Sequence, residues 1–122
     1  MKSLRVIIAG GRDFANYELL KEKADYYLSK QKAEGAEIII VSGTARGADK
    51  LGERYAEERG YKIDRYPANW DLYGKSAGYR RNEVMAENAD ALIACWNGES
   101  RGTKHMIDIA NAKGLKVRIV NY

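Results

Sequence analysis

Apolar positions in this chain fall into two patterns that alternate from end to end. Leu4 to Ala9 (LRVIIA) is a near-continuous apolar run of strand length, and Ile38 to Val41 and Ala91 to Trp96 repeat it. Between these runs, apolar residues recur at intervals of three and four. Leu20, Ala24, Tyr27 and Leu28 form the inward stripe of a helix that Asn16 can cap and that runs to about Lys32. Ala48, Leu51, Gly52, Tyr55 and Ala56 mark a second helix, ending at Gly60. A third passes through Arg81, Asn82, Val84, Met85 and Asn88. A fourth turns Met106, Ile107 and Ala110 inward, with Gly114 at its C′ position. Lys62 to Tyr66 and Lys116 to Val120 alternate polar and apolar, and Pro67 closes the first of them. Ala68 to Gly78 reads as irregular.

Five strands alternating with four helices predict a three-layer α/β fold with a five-stranded parallel sheet. The first, second and fourth strands are apolar throughout and belong inside the sheet. The third and fifth are mixed and belong at its edges. Right-handed crossovers then give the order 3-2-1-4-5. The chain reverses direction between the first and fourth strands, and ligands bind at such a switch point. Three turns rich in glycine and arginine meet on that rim: Gly10-Gly11-Arg12-Asp13, Ser42 to Asp49, and Asn97 to Thr103.

Composition narrows the class. With 122 residues and 45% hydrophobic content, residues 1–122 make one domain with one core. No apolar run is long enough to cross a membrane, and no signal-peptide pattern precedes the first strand, so a cytoplasmic protein without a membrane partner is expected. Cys95 is the single cysteine, which fits a reducing compartment. The net charge of +4 suits an anionic ligand. It is small and dispersed, so nucleic acid is not expected as a partner.

The turns have the chemistry of a phosphate cradle. A buried strand passing through a tight turn into a helix start brings unpaired backbone N–H groups to one point. Gly43 and Gly47 allow positive φ and close backbone approach. Arg12, Arg46, Arg81 and Arg101 offer bidentate charge-assisted bonds, and Ser42, Thr44, Ser100 and Thr103 offer hydroxyls. Gly102 can expose helix-start N–H groups. Asp13 and Asp49 cannot bind phosphate directly; they can accept from ribose hydroxyls, orient an arginine or cap a turn. Trp70, Tyr73 and Tyr79 can stack on a base or pack locally. His105 faces away from the apolar stripe and reads as a surface histidine. No cluster has metal-ligand spacing, and neither a P-loop nor a G-x-G-x-x-G turn is present.

Gly10-Gly11-Arg12-Asp13-Phe14, Ser42 through Asp49, Trp70 through Lys75, Ala77-Gly78 with Arg81-Asn82 and Met85, and Ser100 to Thr103 together resemble the YspA-like subgroup of the SLOG superfamily. The resemblance covers nearly the whole chain. It implies a Rossmann-like domain that binds or senses a nucleotide or nucleotide-derived ligand. No further cofactor is expected, and the state is left open between monomer and homo-oligomer. On it the ligand-binding set is Gly10, Gly11, Arg12, Asp13, Ser42, Gly43, Thr44, Arg46, Gly47, Asp49, Arg81, Asn82, Ser100, Arg101, Gly102 and Thr103, with Trp70 and Tyr73 as base-stacking candidates.

Two related families point to alternatives. Lonely Guy type phosphoribohydrolases carry an arginine that Arg81 resembles and a Gly-Thr turn that Gly102-Thr103 resembles. Their glutamate three residues on is replaced here by Met106, which argues against an enzyme. If this chain hydrolyses an N-glycosidic bond, Arg81 positions the substrate and Asp13 or Glu99 supplies the carboxylate. The DNA-processing protein A family has a turn similar to Ser42–Asp49 and binds single-stranded DNA, which makes a DNA-binding accessory protein the third alternative.

Overall fold

The computed structural model describes residues 2–122. The chain runs β1 (Ser3–Gly10), α1 (Tyr17–Ala33), β2 (Glu37–Ser42), α2 (Ala48–Arg59), β3 (Lys62–Arg65), α3 (Trp70–Tyr73), a 3₁₀ turn (Gly74–Ser76), α4 (Ala77–Glu87), β4 (Ala91–Trp96), α5 (Arg101–Ala112) and β5 (Lys116–Asn121). The strands form one parallel sheet in the order β3-β2-β1-β4-β5, as the crossover argument requires. It is a Rossmann-like α/β fold.

Side chains of a strand alternate between faces, so the continuous apolar runs feed two cores at once. Val6, Ile8, Ile40 and Ile93 pack with Leu20, Ala24 and Tyr55 under α1 and α2. Ile7, Val41, Leu92 and Ala94 pack with Met85, Met106 and Ile107 under α4 and α5. β3 and β5 keep exposed residues along their length, which marks them as the edges.

The sequence reads Ala68 to Gly78 as irregular, but the structure puts helix there. Asn69 Oδ1 accepts from the Leu72 N–H at 3.0 Å and starts the single turn of α3. Gly74, at φ +56°, breaks it, and the 3₁₀ turn leads directly into α4. This connection brings Trp70 and Lys75 to the carboxyl ends of the strands. Among the described residues, no helix is long and apolar enough to cross a membrane.

Candidate nucleotide-binding site

The three turns at the carboxyl ends of β1, β2 and β4 are built on one another. The Gly11 N–H donates to the Cys95 carbonyl at 3.1 Å, tying the first turn to β4. The Gly11 carbonyl accepts from Phe14 and from Ala48, the first residue of α2, both at 3.2 Å. Gly47 stands at φ +79°, and a Cβ there would lie 2.6 Å from the Arg12 carbonyl oxygen and closer still to that of Gly11. Only glycine meets both demands.

The second turn is shaped from below. Ser42 is fully buried. Its hydroxyl donates to Glu53 Oε2 at 2.6 Å and accepts from the Thr44 N–H at 3.1 Å. Arg65 Nε reaches the other Glu53 oxygen at 3.0 Å. Burial raises the Glu53 carboxyl, but the Ser42 and Arg65 hydrogen bonds outweigh it and hold the group below its ordinary value. Thr44 is held at φ +65°, a region a β-branched residue rarely occupies.

Asp49 and Arg81 face each other across Gly43. A Cβ on Gly43 would lie 2.8 Å from Asp49 Oδ2 and 2.6 Å from an Arg81 guanidinium nitrogen. Asp49 is 5% exposed, and its Oδ2 accepts from the Ala45 N–H at 3.2 Å. Burial pushes its carboxyl up to about 6, against the pull of Ala45 and Arg81. Arg81 donates to the Gly43 carbonyl and, through Nε, to Asn82 Oδ1 at 3.1 Å. Asn82 Nδ2 meets the Gly102 carbonyl at 3.4 Å and His105 Nδ1 at 3.3 Å.

In the third turn, Asn97 Oδ1 accepts from the Glu99 and Ser100 N–H groups. Ser100 caps α5: its Oγ accepts from the Thr103 N–H and from the Thr103 hydroxyl, the latter at 3.0 Å.

These pieces enclose a cleft of about 790 Å³. Gly10, Gly11, Arg12 and Asp13 line it from the first turn, and Arg46 and Asp49 from the second. Arg81 and Asn82 come from α4, and Ser100, Gly102 and Thr103 from the start of α5. Gly43 and Thr44 open instead onto an adjoining groove shared with Arg12, Arg46 and Arg81. Ser42 lies beneath, and Gly47 is packed on the first turn. Arg101 and Glu99 are exposed and stand off the walls.

Trp70 lines the cleft, but Tyr73 is turned away and stacks under the Arg80 guanidinium, 4.5 Å from the ring centre. Tyr79, one helical turn from Asn82, is the second aromatic on the wall. His105 is not a free surface residue; its ring meets Tyr79 edge-on at 4.4 Å between α4 and α5. Lys75, Met85 and Tyr122 complete the surroundings. The Tyr122 hydroxyl donates to Asp13 Oδ1 at 2.5 Å, and burial together with that carboxylate pushes the phenol up to about 12. Met85 shares the buried face of α4 with Asn82, a signal the spacing carries, whereas Lys75 comes from the exposed 3₁₀ turn before that helix. Nothing local announces Tyr122, 109 residues from its partner.

Residues 4–73 match the family model described as the YspA, cpYpsA-related SLOG family. The chain belongs to this family. A curated relative, the Gene 61 protein of Mycobacterium phage D29, is 35% identical over 86 residues, covering 66% of this chain and 69% of the relative. Among solved structures, DNA processing protein A from Helicobacter pylori superposes with a TM-score of 0.64 at 18% identity. The match covers 98% of this SLOG chain and 66% of that protein, which is described as binding single-stranded DNA. That neighbour corrects the expectation that nucleic acid is not a partner. The expectation rested on an average charge, whereas Arg12, Arg46, Lys75 and Arg81 are gathered on one rim of this fold.

Proposed function

We propose that this SLOG domain binds a nucleotide or nucleotide-derived ligand by its phosphate, in the cleft over the ends of β1, β2 and β4. The observation that carries this reading is the convergence of Arg12, Arg46, Lys75 and Arg81 with the N-terminal turn of α5 around one cavity. A phosphate there gains charge-assisted bonds and the positive end of the helix. Ala9, Met85 and Met106 supply an apolar wall, and the Trp70 and Tyr79 rings are accessible to a base. The test is a melting-temperature screen with nucleoside monophosphates, dinucleotides and cyclic nucleotides. A ligand that binds the folded state raises the transition. No shift across such a panel would overturn the reading.

A single strand of DNA is the second reading, favoured by the likeness to the H. pylori protein. Its support in this chain is the half-exposed Trp70 on the wall of the cleft, with the half-exposed Tyr73, backed by Arg80, beside it on the outer surface of α3. A short single-stranded oligonucleotide then binds with an affinity that falls steeply as salt rises. Binding without that salt slope, or none at low salt, would remove it.

A further inference from the structure

Two carboxylates in the cleft are of no use to a phosphate: Asp13, which the Tyr122 hydroxyl engages, and Asp49. Asp49 stands among cations, with Arg12 and Arg81 both close enough to act on its charge. Yet among the described residues it forms no ion pair. Its Oδ2 is taken by the Ala45 N–H, and among the described residues no donor reaches Oδ1. Asp49 is 5% exposed and lines the cleft, so its second oxygen has the cleft as its opening and is free to accept from a ligand donor.

The position of Asp49 says which part of a ligand supplies the donor. It is on the first turn of α2, with Arg81 beside it across Gly43. Arg12, Arg46 and Arg81, which can hold a phosphate, line the same cleft as Asp49. Arg12 and Arg81 lie close enough to act on its charge, so the sugar next to such a phosphate is the part that meets Asp49. The aromatic side chains on the wall, Trp70 and Tyr79, come from α3 and α4, and they are where a base finds a ring face. Between phosphate and base, a nucleotide's donors are its sugar hydroxyls.

Resting on the nucleotide reading above, we propose that Asp49 accepts from the ribose diol, so that the cleft selects ribonucleotides over their deoxy counterparts. A hydrogen bond to a charged acceptor at a buried position separates ligands that have the hydroxyl from those that lack it by about tenfold or more.

The charged and titratable groups facing Asp49 are Arg12 from the first turn, Arg81 from α4, Glu53 from its own helix and Cys95 from β4. A guanidinium does not lose its proton in a protein, Glu53 is held below its ordinary value, and burial pushes the Cys95 thiol up to about 12. Asp49 alone of these changes charge near neutrality. Hydroxyl donors favour its ionised form, so the preference for ribose grows as pH rises through about 6. The ligand's own phosphate titrates in the same range, but it does so equally in the two sugar series and cancels in their ratio.

The experiment is calorimetric titration with the 5′-monophosphates of adenosine, guanosine, cytidine and uridine, each with its 2′-deoxy and 2′,3′-dideoxy form, above and below the Asp49 midpoint. The expected result is a ribose preference of about tenfold or more at the higher pH that shrinks at the lower pH and collapses in Asp49→Asn. Asp49→Ala, which leaves neither charge nor amide, is the second variant and shows the same collapse. Equal affinity for ribo and deoxy forms would overturn the assignment of Asp49 while leaving the site standing. So would a preference that follows the base and not the sugar. Binding of none of these nucleotides would overturn the nucleotide reading, and this assignment with it.

Discussion

The Ser42 hydroxyl donates a 2.6 Å hydrogen bond to the Glu53 carboxylate, directly beneath the turn from β2 into α2. Both residues are buried, and Arg65 completes the set. This bond fixes the height of the turn, because the same hydroxyl accepts the Thr44 N–H. Ser42→Ala leaves a buried carboxylate short of one donor and a backbone N–H without its acceptor. The expected cost is ~1.5–3 kcal/mol of stability. Glu53 is held below its ordinary value, so its contribution is present at neutral pH and is lost as pH falls through its folded-state value. Urea denaturation of Ser42→Ala should therefore show a large loss at neutral pH and a smaller one in acid. An equal loss at both would mean that the hydroxyl does not act through Glu53.

Asp49 titrates with the opposite sign. Burial raises its carboxyl from 3.8 to about 6, so the stability linked to its proton is fully present below the ordinary carboxylate value and is lost as pH rises through about 6. The shift corresponds to roughly 3 kcal/mol at most. Asn keeps an oxygen for the Ala45 N–H and carries no charge. Asp49→Asn should melt higher than wild type near pH 8 and close to it near pH 4, in the absence of ligand. A lower melting temperature near pH 8 would show that the charge stabilises the empty cleft.

The sheet was legible because its signals are long and redundant. The run from Val6 to Ile8 feeds both cores, and a strand that does so must lie inside a parallel sheet. The three turns were legible because glycine and arginine recur at the ends of the apolar strands. Pairing was not. Ser42 presents the same hydroxyl to a sequence reader whether it meets a ligand or Glu53, and only the fold of α2 decides. Tyr73 and Tyr79 both read as loop aromatics, but the single turn at Trp70–Tyr73 is too short to carry a period, so which ring faced the cleft was hidden. His105 looked free because its partner Tyr79 lies on another helix.

Gly102 separates binding from folding. A Cβ added there meets nothing within 4 Å, unlike one added at Gly47, which would strike the first turn. Gly102→Asp puts a carboxylate in the first turn of α5, where acidic residues normally favour the helix dipole. The variant should melt at or above wild type, yet it places negative charge at the mouth of a phosphate site and should lose the nucleotide-induced shift. Gly47→Ala should instead fold poorly, whatever ligand is present. A full nucleotide shift in Gly102→Asp would place the phosphate elsewhere in the cleft.

Catalysis turns on Met106. Breaking an N-glycosidic bond builds positive charge on the sugar, and a carboxylate normally stabilises that charge or activates the attacking water. Met106 is 1% exposed, lines the floor of the cleft and packs in the core under α4 and α5. A thioether can neither hold the charge nor move the proton. General acid–base catalysis contributes ~10²–10⁴-fold, so a site without it turns over very slowly. The carboxylates that line the cleft are Asp13, engaged by Tyr122, and Asp49, while Glu99 stands outside the walls. The expected outcome is that the purified protein releases no ribose 5-phosphate from nucleoside monophosphates under conditions where it binds them. Chromatography of the reaction mixture reads this directly. Release by wild type that disappears in Asp49→Asn or Asp13→Asn at saturating nucleotide would show that the carboxylate has moved from the position of Met106 to one of these residues, and that the cleft is an active site.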